Sequence, residues 1–531
     1  MVNLNLPTRT WVPQWLGVIT MFVVILPIVM LNGAYTGSMV DVSNTLGILS
    51  EDITMGYYAT SVGMAVAYPI VPKIRAVVTP KTLLLSDLFL QILLSFSCAH
   101  TNNIDIIIIC SFLVGFLKAF IMLQFIVFIR PLLSPKNVRS EFYAYFYPMV
   151  FSGGQISMAI TAQLAYYYKW QYMYYFTMLL MLIAMVFILL FFRYAQKPIS
   201  FPYKEIDYKS IILIASALLF SVYVFTYGKT LDWFASTKIR IYVIAIPILF
   251  YLFWQRQRAQ DKPYISFKPL SHHKSIIGYF FMILVMFFSA TSSLVTSYMN
   301  SIIRIDSVHA NSLNLFLLPG FIVGAFICFW WFRWQRWRFR FLISAGMFCY
   351  VIYLSILYFG ITPYSTYEML YLPMFFRGLG MLILIIAFGV YVVEDLDPSL
   401  MLSNAFFLIS IRSALAPVIS ASFFNNLIYN LQIKYMTILS DNLTLTTPLA
   451  LERYNQAVHT AIAQGHEFSE ASKIATNSLY SILQPQALLL GIKSIIGYVL
   501  IIAIIIAIVS RFIPFHKTVK VAVVKTGDDM V

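Results

Sequence analysis

Residues 104–129 read IDIIIICSFLVGFLKAFIMLQFIVFI. As a helix rising about 1.5 Å per residue, this run reaches across a hydrocarbon core of about 30 Å. It is apolar around its circumference, so it has no face for water. One cation, Lys118, stands near its middle. An ionised side chain at that depth costs about 2.5–3.5 kcal/mol on insertion scales and is kept away from lipid. The run thus names a solvent, the bilayer, and a first candidate functional residue.

The rest of the chain follows suit. Of 531 residues, 60% are hydrophobic and 11% are charged, and the mean hydropathy is +0.81. Soluble domains carry roughly 25% charged residues, so a water-facing surface cannot be built from this composition. Further runs long enough to cross occur at 14–38, 55–74, 81–99, 141–166, 172–193, 209–228 and 239–256. Six more follow at 274–298, 310–333, 339–360, 368–393, 399–425 and 487–511. We therefore expect an all-α membrane protein of about fourteen transmembrane helices. The first run, from Trp15, is too long for a signal-peptide core and lacks a small-residue cleavage site, so it reads as a span that stays.

The net charge of +15 is distributed as a topology signal rather than as a nucleic-acid surface. With the N-terminus inside and the spans alternating, 24 of the 36 Lys and Arg fall in inside segments and 9 in outside ones. The remaining three, Lys118, Arg377 and Arg412, lie within spans. The positive-inside rule then places both termini in the cytoplasm, in a cell inner (plasma) membrane. No nucleic-acid partner is expected.

The spans fall into two blocks of six, residues 1–193 and 274–531. A segment at 194–273 between them carries two extra spans. The fourth spans of the two blocks echo each other, with Gly115 and Lys118 in one and Arg377, Gly378 and Gly380 in the other. The outside loop 426–486 carries two apolar stripes at helical spacing, Leu451–Ile462 and Phe468–Ile482, which predict two short amphipathic helices, the first opened by Pro448. They can pack on the outer mouth, lie on the membrane or hold a partner.

Several local patterns carry a resemblance. Gly228-Lys229-Thr230-Leu231-Asp232-Trp233-Phe234 follows the seventh span, and Asp261-Lys262-Pro263-Tyr264-Ile265-Ser266-Phe267-Lys268-Pro269-Leu270 precedes the ninth. The tenth carries Leu318-Pro319-Gly320, and the thirteenth Ser410-Ile411-Arg412-Ser413-Ala414-Leu415. With the long loop before the last helix, these resemble the fourteen-span drug:proton antiporter branch of the major facilitator superfamily, the EmrB/QacA type. The resemblance implies a major facilitator fold of two six-helix bundles plus two central helices. It also implies export of small molecules in exchange for protons by alternating access. Its partners would be a periplasmic membrane-fusion adaptor and an outer-membrane channel. The chain departs from the branch at Asn32, where the first span usually carries Asp; at Ser111, where the fourth carries Arg; and at Gly153-Gly154-Gln155, where the fifth carries Gly-Pro.

Five residues are the candidates for the substrate and ion pathway: Asn32, Asp41, Lys118, Arg377 and Arg412. Lys118 and Arg412 are the deepest cations and can receive an anionic group or pair with a carboxylate. Asp41, after the first span, is the candidate proton carrier, whereas Asp87 in the third span reads as a snorkelling or capping residue. Arg377 stands between a pathway role and an interhelix tie. An aromatic, Met-rich cavity would suit bulky apolar or cationic compounds. No catalytic, metal or cofactor site is expected. Cys98, Cys110, Cys328 and Cys349 sit in apolar runs without ligand spacing, and no nucleophile or Walker A pattern occurs. The alternatives are an importer or lipid transporter on the same fold, or a membrane enzyme such as a glycan polymerase.

Overall fold

The structure is a computed structural model, described over residues 6–37, 39–134, 138–194, 206–334, 339–441, 443, 447–513 and 515. The described residues form helices, with one isolated bridge between Thr8 and Phe192 and no strand. The first six spans are Gln14–Gly37, Ser50–Ala67, Pro80–His100, Ile104–Leu133, Arg139–Tyr167 and Tyr172–Phe191. The seventh and eighth are Tyr208–Tyr227 and Thr237–Arg258. The ninth, His273–Ala290, continues through Ser292–Tyr298; the tenth to twelfth are Leu317–Trp334, Phe339–Gly360 and Tyr371–Val392. The thirteenth runs from Met401 to Asp441 through a π-helical turn, and the last is Phe468–Phe512.

Twelve helices among the described residues are long and apolar enough to cross a membrane on length and composition alone. The second and fifth spans are not among them. Both line the central cavity described below, and a helix facing an interior need not be lipophilic all round. Among these helices, the sixth ends beside the start of the first, and the last ends beside the end of the twelfth. There Arg9 N–H donates to Phe191 O at 2.8 Å, and Tyr391 donates to Phe515 O at 3.0 Å. We call this the terminal face, and its opposite the loop face.

The two blocks repeat each other's neighbours. The first span packs on the fifth as the ninth packs on the thirteenth; the second on the fourth as the tenth on the twelfth; the third on the sixth as the eleventh on the fourteenth. This is the two-bundle arrangement expected of the sequence. Backbone contact makes the second pairing tight in both halves. A Cβ on Gly115 would lie 1.9 Å from Thr60 O, and one on Gly378 would lie 2.6 Å from Leu317 O. Glycine alone allows helices so close. Between the bundles, the fifth span meets the tenth and twelfth, and the second meets the thirteenth.

The extra pair lies against both bundles, the seventh span touching the second and the thirteenth. At the terminal face it starts on an Asp207 N-cap that bonds Arg256 at 2.8 Å and Gln260 at 2.6 Å. Burial would raise this carboxyl, but hydrogen bonds from Arg256, Ser210 and Gln260 hold it below the usual range. At the loop face, Tyr227 donates to Asp52 at 2.5 Å, Thr230 to Glu51 at 2.8 Å, and Trp233 to Asn426 at 3.1 Å. Glu51 and Asp52 begin the second span five residues before its apolar run, and the turn at Tyr68–Ile70 ends it before residue 74. Tyr227→Phe removes a buried bond to a carboxylate and is expected to cost about 1.5–3 kcal/mol. A lowered thermal unfolding midpoint in detergent checks this; an unchanged midpoint means that the anchor contributes nothing.

The loop region departs from expectation. Among the described residues there, one separate amphipathic helix forms, Pro448–Ala463. The second stripe belongs to the last span, whose 45-residue helix begins at Phe468 and passes through Pro485 without ending. Helical periodicity does not change where a helix leaves the membrane, so the sequence pattern could not mark continuity. Val458 and Ala461 pack against Ala471 and Ala475, and Tyr454 and Ser472 hydroxyls meet at 2.5 Å. The stripes therefore cover each other in part.

Candidate functional site

A cavity of about 410 Å³ lies between the bundles. Its lining comes from the first, second, fourth and fifth spans on one side and from the ninth, twelfth and thirteenth on the other. The wall is aromatic and Met-rich: Tyr57, Tyr68, Phe142, Tyr143, Phe146, Tyr147 and Phe151 stand with Met64, Met122, Met158, Met286, Met381 and Met401. Besides the tyrosine hydroxyls, the polar groups are few: Thr36, Gln155, Asn404 and Ser413 beside the two cations Lys118 and Arg412. Among the described residues, no Asp or Glu lines it.

Lys118 comes from the fourth span and is 3% exposed. Gly115, one turn earlier, lets that helix lie against the second span, which fixes the height at which Lys118 meets the cavity. Arg412 comes from the π-helical turn Ser410–Leu415 of the thirteenth span. Pro417 accounts for the turn: its ring lacks an N–H and crowds the carbonyl four residues earlier, and a widened turn relieves this. The Arg412 guanidinium lies over the Tyr147 ring, 5.3 Å from its centroid. Its Nη1 is buried and has no hydrogen-bond partner among the described residues.

The other candidates lie elsewhere. The Asn32 position is on the first span, and its side chain falls outside the described residues. Asp41 stands on a separate short helix, Met39–Leu46, beyond the first span, and does not line the cavity. One of its oxygens, Oδ2, is buried without a hydrogen-bond partner among the described residues, and burial raises its carboxyl. Arg377 is buried in the second bundle, donating to Ser289 O at 3.0 Å and to Met374 Sδ at 3.5 Å, away from the cavity wall. It ties the twelfth span to the ninth. Asp87 neither snorkels nor caps: it is buried, and Gln91 Nε2 donates to its Oδ1 at 3.3 Å. The four cysteines are free and buried.

Sequence reasoning did not single out Asn404, which lines the cavity and accepts a hydrogen bond from Tyr279. Nor did it find the ties that close the bundles on each other. At the terminal face Arg139 Nη1 donates to Val393 O at 3.1 Å, and Arg333 pairs with Glu141 at 3.2 Å. At the loop face Asn311 donates to Gly37 O at 3.1 Å. The acidic loop after the twelfth span is partnered too, Lys274 meeting Glu394 at 3.0 Å and Asp395 at 2.6 Å.

Two helical bundles around a partly open, sparsely polar central cavity are the architecture of a membrane transporter. Residues 18–421 match the family model described as Major Facilitator Superfamily, and the chain belongs to that family. No curated protein matches it. Among solved structures, a mutant of the peptide transporter POT in complex with alafosfalin is similar over 97% of this chain and 98% of its own, at 14% identity and a TM-score of 0.54. The peptide transporter POT in complex with sulfate is similar over 94% and 96%, at 13% identity and a TM-score of 0.51. The nucleoside transporter NupG, as a mutant, covers 89% of this chain and 99% of its own, at 12% identity and a TM-score of 0.48.

Proposed function

We propose that this protein is a secondary transporter of the fourteen-span drug:proton antiporter kind, exporting amphipathic small molecules in exchange for protons by alternating access. It sits in the inner membrane with both termini in the cytoplasm, divided at 1–193, 194–273 and 274–531. The observation that carries the reading is the cavity itself: a drug-sized space at the junction of two repeated bundles, with a buried lysine and a half-buried arginine in an apolar wall. Polar ties at each face, Arg139–Val393 on one and Asn311–Gly37 on the other, are the contacts that alternating access must break in turn. Reconstitution into liposomes with an imposed pH or sodium gradient tests it, across a panel of lipophilic anions, cations and lipids. Gradient-driven flux of a panel member supports the reading. Flux in the uptake direction only makes the protein an importer, and no gradient-driven flux ends the proposal.

Beyond the loop face, the same reading includes a periplasmic adaptor of the membrane-fusion class and an outer-membrane channel. Support comes from apolar side chains left over after the stripes pack together, with Leu449 and Phe468 each 71% exposed. Replacing both by Glu is expected to leave liposome flux unchanged and to abolish co-purification with an adaptor. Full export in cells lacking every adaptor overturns this part.

A further inference from the structure

The charge of the cavity wall names the substrate class. We propose that the cavity takes amphipathic organic anions, a carboxylate, sulfonate or phosphonate group on an apolar body, with Arg412 and Lys118 receiving the charged end. The inference rests on the transporter reading above and deepens it.

The wall carries two basic side chains and, among the described residues, no acidic one. A cationic ligand entering it would meet like charge in an apolar enclosure, where repulsion is poorly screened and no carboxylate offsets it. An anion reverses both terms. Arg412 is already shaped for one: Tyr147 covers a face of the guanidinium, and the buried Nη1 keeps a donor without a hydrogen-bond partner among the described residues. A planar guanidinium in that state matches an oxyanion through charge-assisted hydrogen bonds. The remaining wall is mostly aromatic rings and methionines; its few neutral polar groups offer little to a small hydrated anion, while the wall buries an apolar body well. Inorganic sulfate or phosphate would lose hydration without that return. Of the bulky apolar or cationic compounds that an aromatic, Met-rich cavity suits, this proposal keeps the apolar body and puts an anion in place of the cation.

The test uses the purified full chain in nanodiscs and isothermal titration calorimetry. Probes are matched triads on naphthyl, biphenyl and decyl bodies, each as a sulfonate, its neutral sulfonamide and a trimethylammonium. Sodium sulfate is the inorganic control. At least one sulfonate is expected to bind about tenfold or more tighter than its sulfonamide, with the ammonium and sulfate weaker still. Arg412→Gln is expected to remove that preference while leaving the sulfonamide affinity within about twofold, and Arg412→Lys to restore part of it. Lys118→Gln gives a second, independent variant should the first misfold, and the wild-type triads decide without either. If no sulfonate outbinds its neutral and cationic counterparts, or if sulfate binds as well, the proposal is overturned. The same triads in proteoliposomes separate the two readings. Anion binding without flux ends the transporter reading and leaves the anion site standing. Flux confined to the ammonium members overturns the anion site and leaves the transporter.

Discussion

Lys118→Met is expected to leave folded protein in the membrane and to cut transport at least about tenfold. Methionine keeps most of the volume of the lysine stem, so packing between the second and fourth spans is retained. What it removes is the charge, at a position 3% exposed on the cavity wall. A charge-assisted hydrogen bond contributes about 1.5–3 kcal/mol, and each 1.4 kcal/mol is a factor of ten. Flux in proteoliposomes gives the first readout and size-exclusion profile the second. Wild-type flux means that Lys118 serves the fold alone. Loss of the folded species makes it structural, which removes it from the pathway.

A larger effect, on folding, is expected at Gly115→Val. The new Cβ would stand 1.9 Å from Thr60 O and 2.6 Å from Thr60 Cα, both main-chain atoms that no rotamer change can move aside. Relief requires the fourth span to withdraw from the second, breaking a packed interface along its length. Ordinary overpacking costs about 1–3 kcal/mol, and a backbone collision exceeds that range. We expect little or no monodisperse protein after solubilisation, and the same for Gly378→Val in the second bundle. Gly154→Ala is the control, because a Cβ there meets nothing within 4 Å. It should fold as the wild type does. A well-behaved Gly115→Val protein with an unchanged melting point would falsify the close helix approach.

The fold was legible because lipid is an undemanding reader: any apolar run of sufficient length crosses. This served even for the second and fifth spans, whose cavity-facing residues dilute their apolar character. Lys118 and Arg412 were legible for a related reason, since a mid-span cation must avoid lipid. Direction was not. Arg377 meets the same rule, yet it turns into the second bundle and bonds Ser289 O. A helix that is apolar all round does not record which way one polar residue points, and only packing settles it. Asp87 was misread on the same ground. The π-helical turn at Arg412 had one signal, Pro417, that periodicity passes over. The sign of the cavity is a sum over helices far apart in sequence, and no single stretch contains it.

The last helix has a mechanical meaning. Its 45 residues span about 68 Å, more than twice a hydrocarbon core of about 30 Å. About half of it therefore lies outside the hydrocarbon core on the loop face, braced by Pro448–Ala463. Such a rod is a pointer fixed at its base to the eleventh and thirteenth spans. A tilt of the second bundle too small to see inside the membrane is magnified at the free end, where water-soluble labels or a bound antibody fragment can follow it.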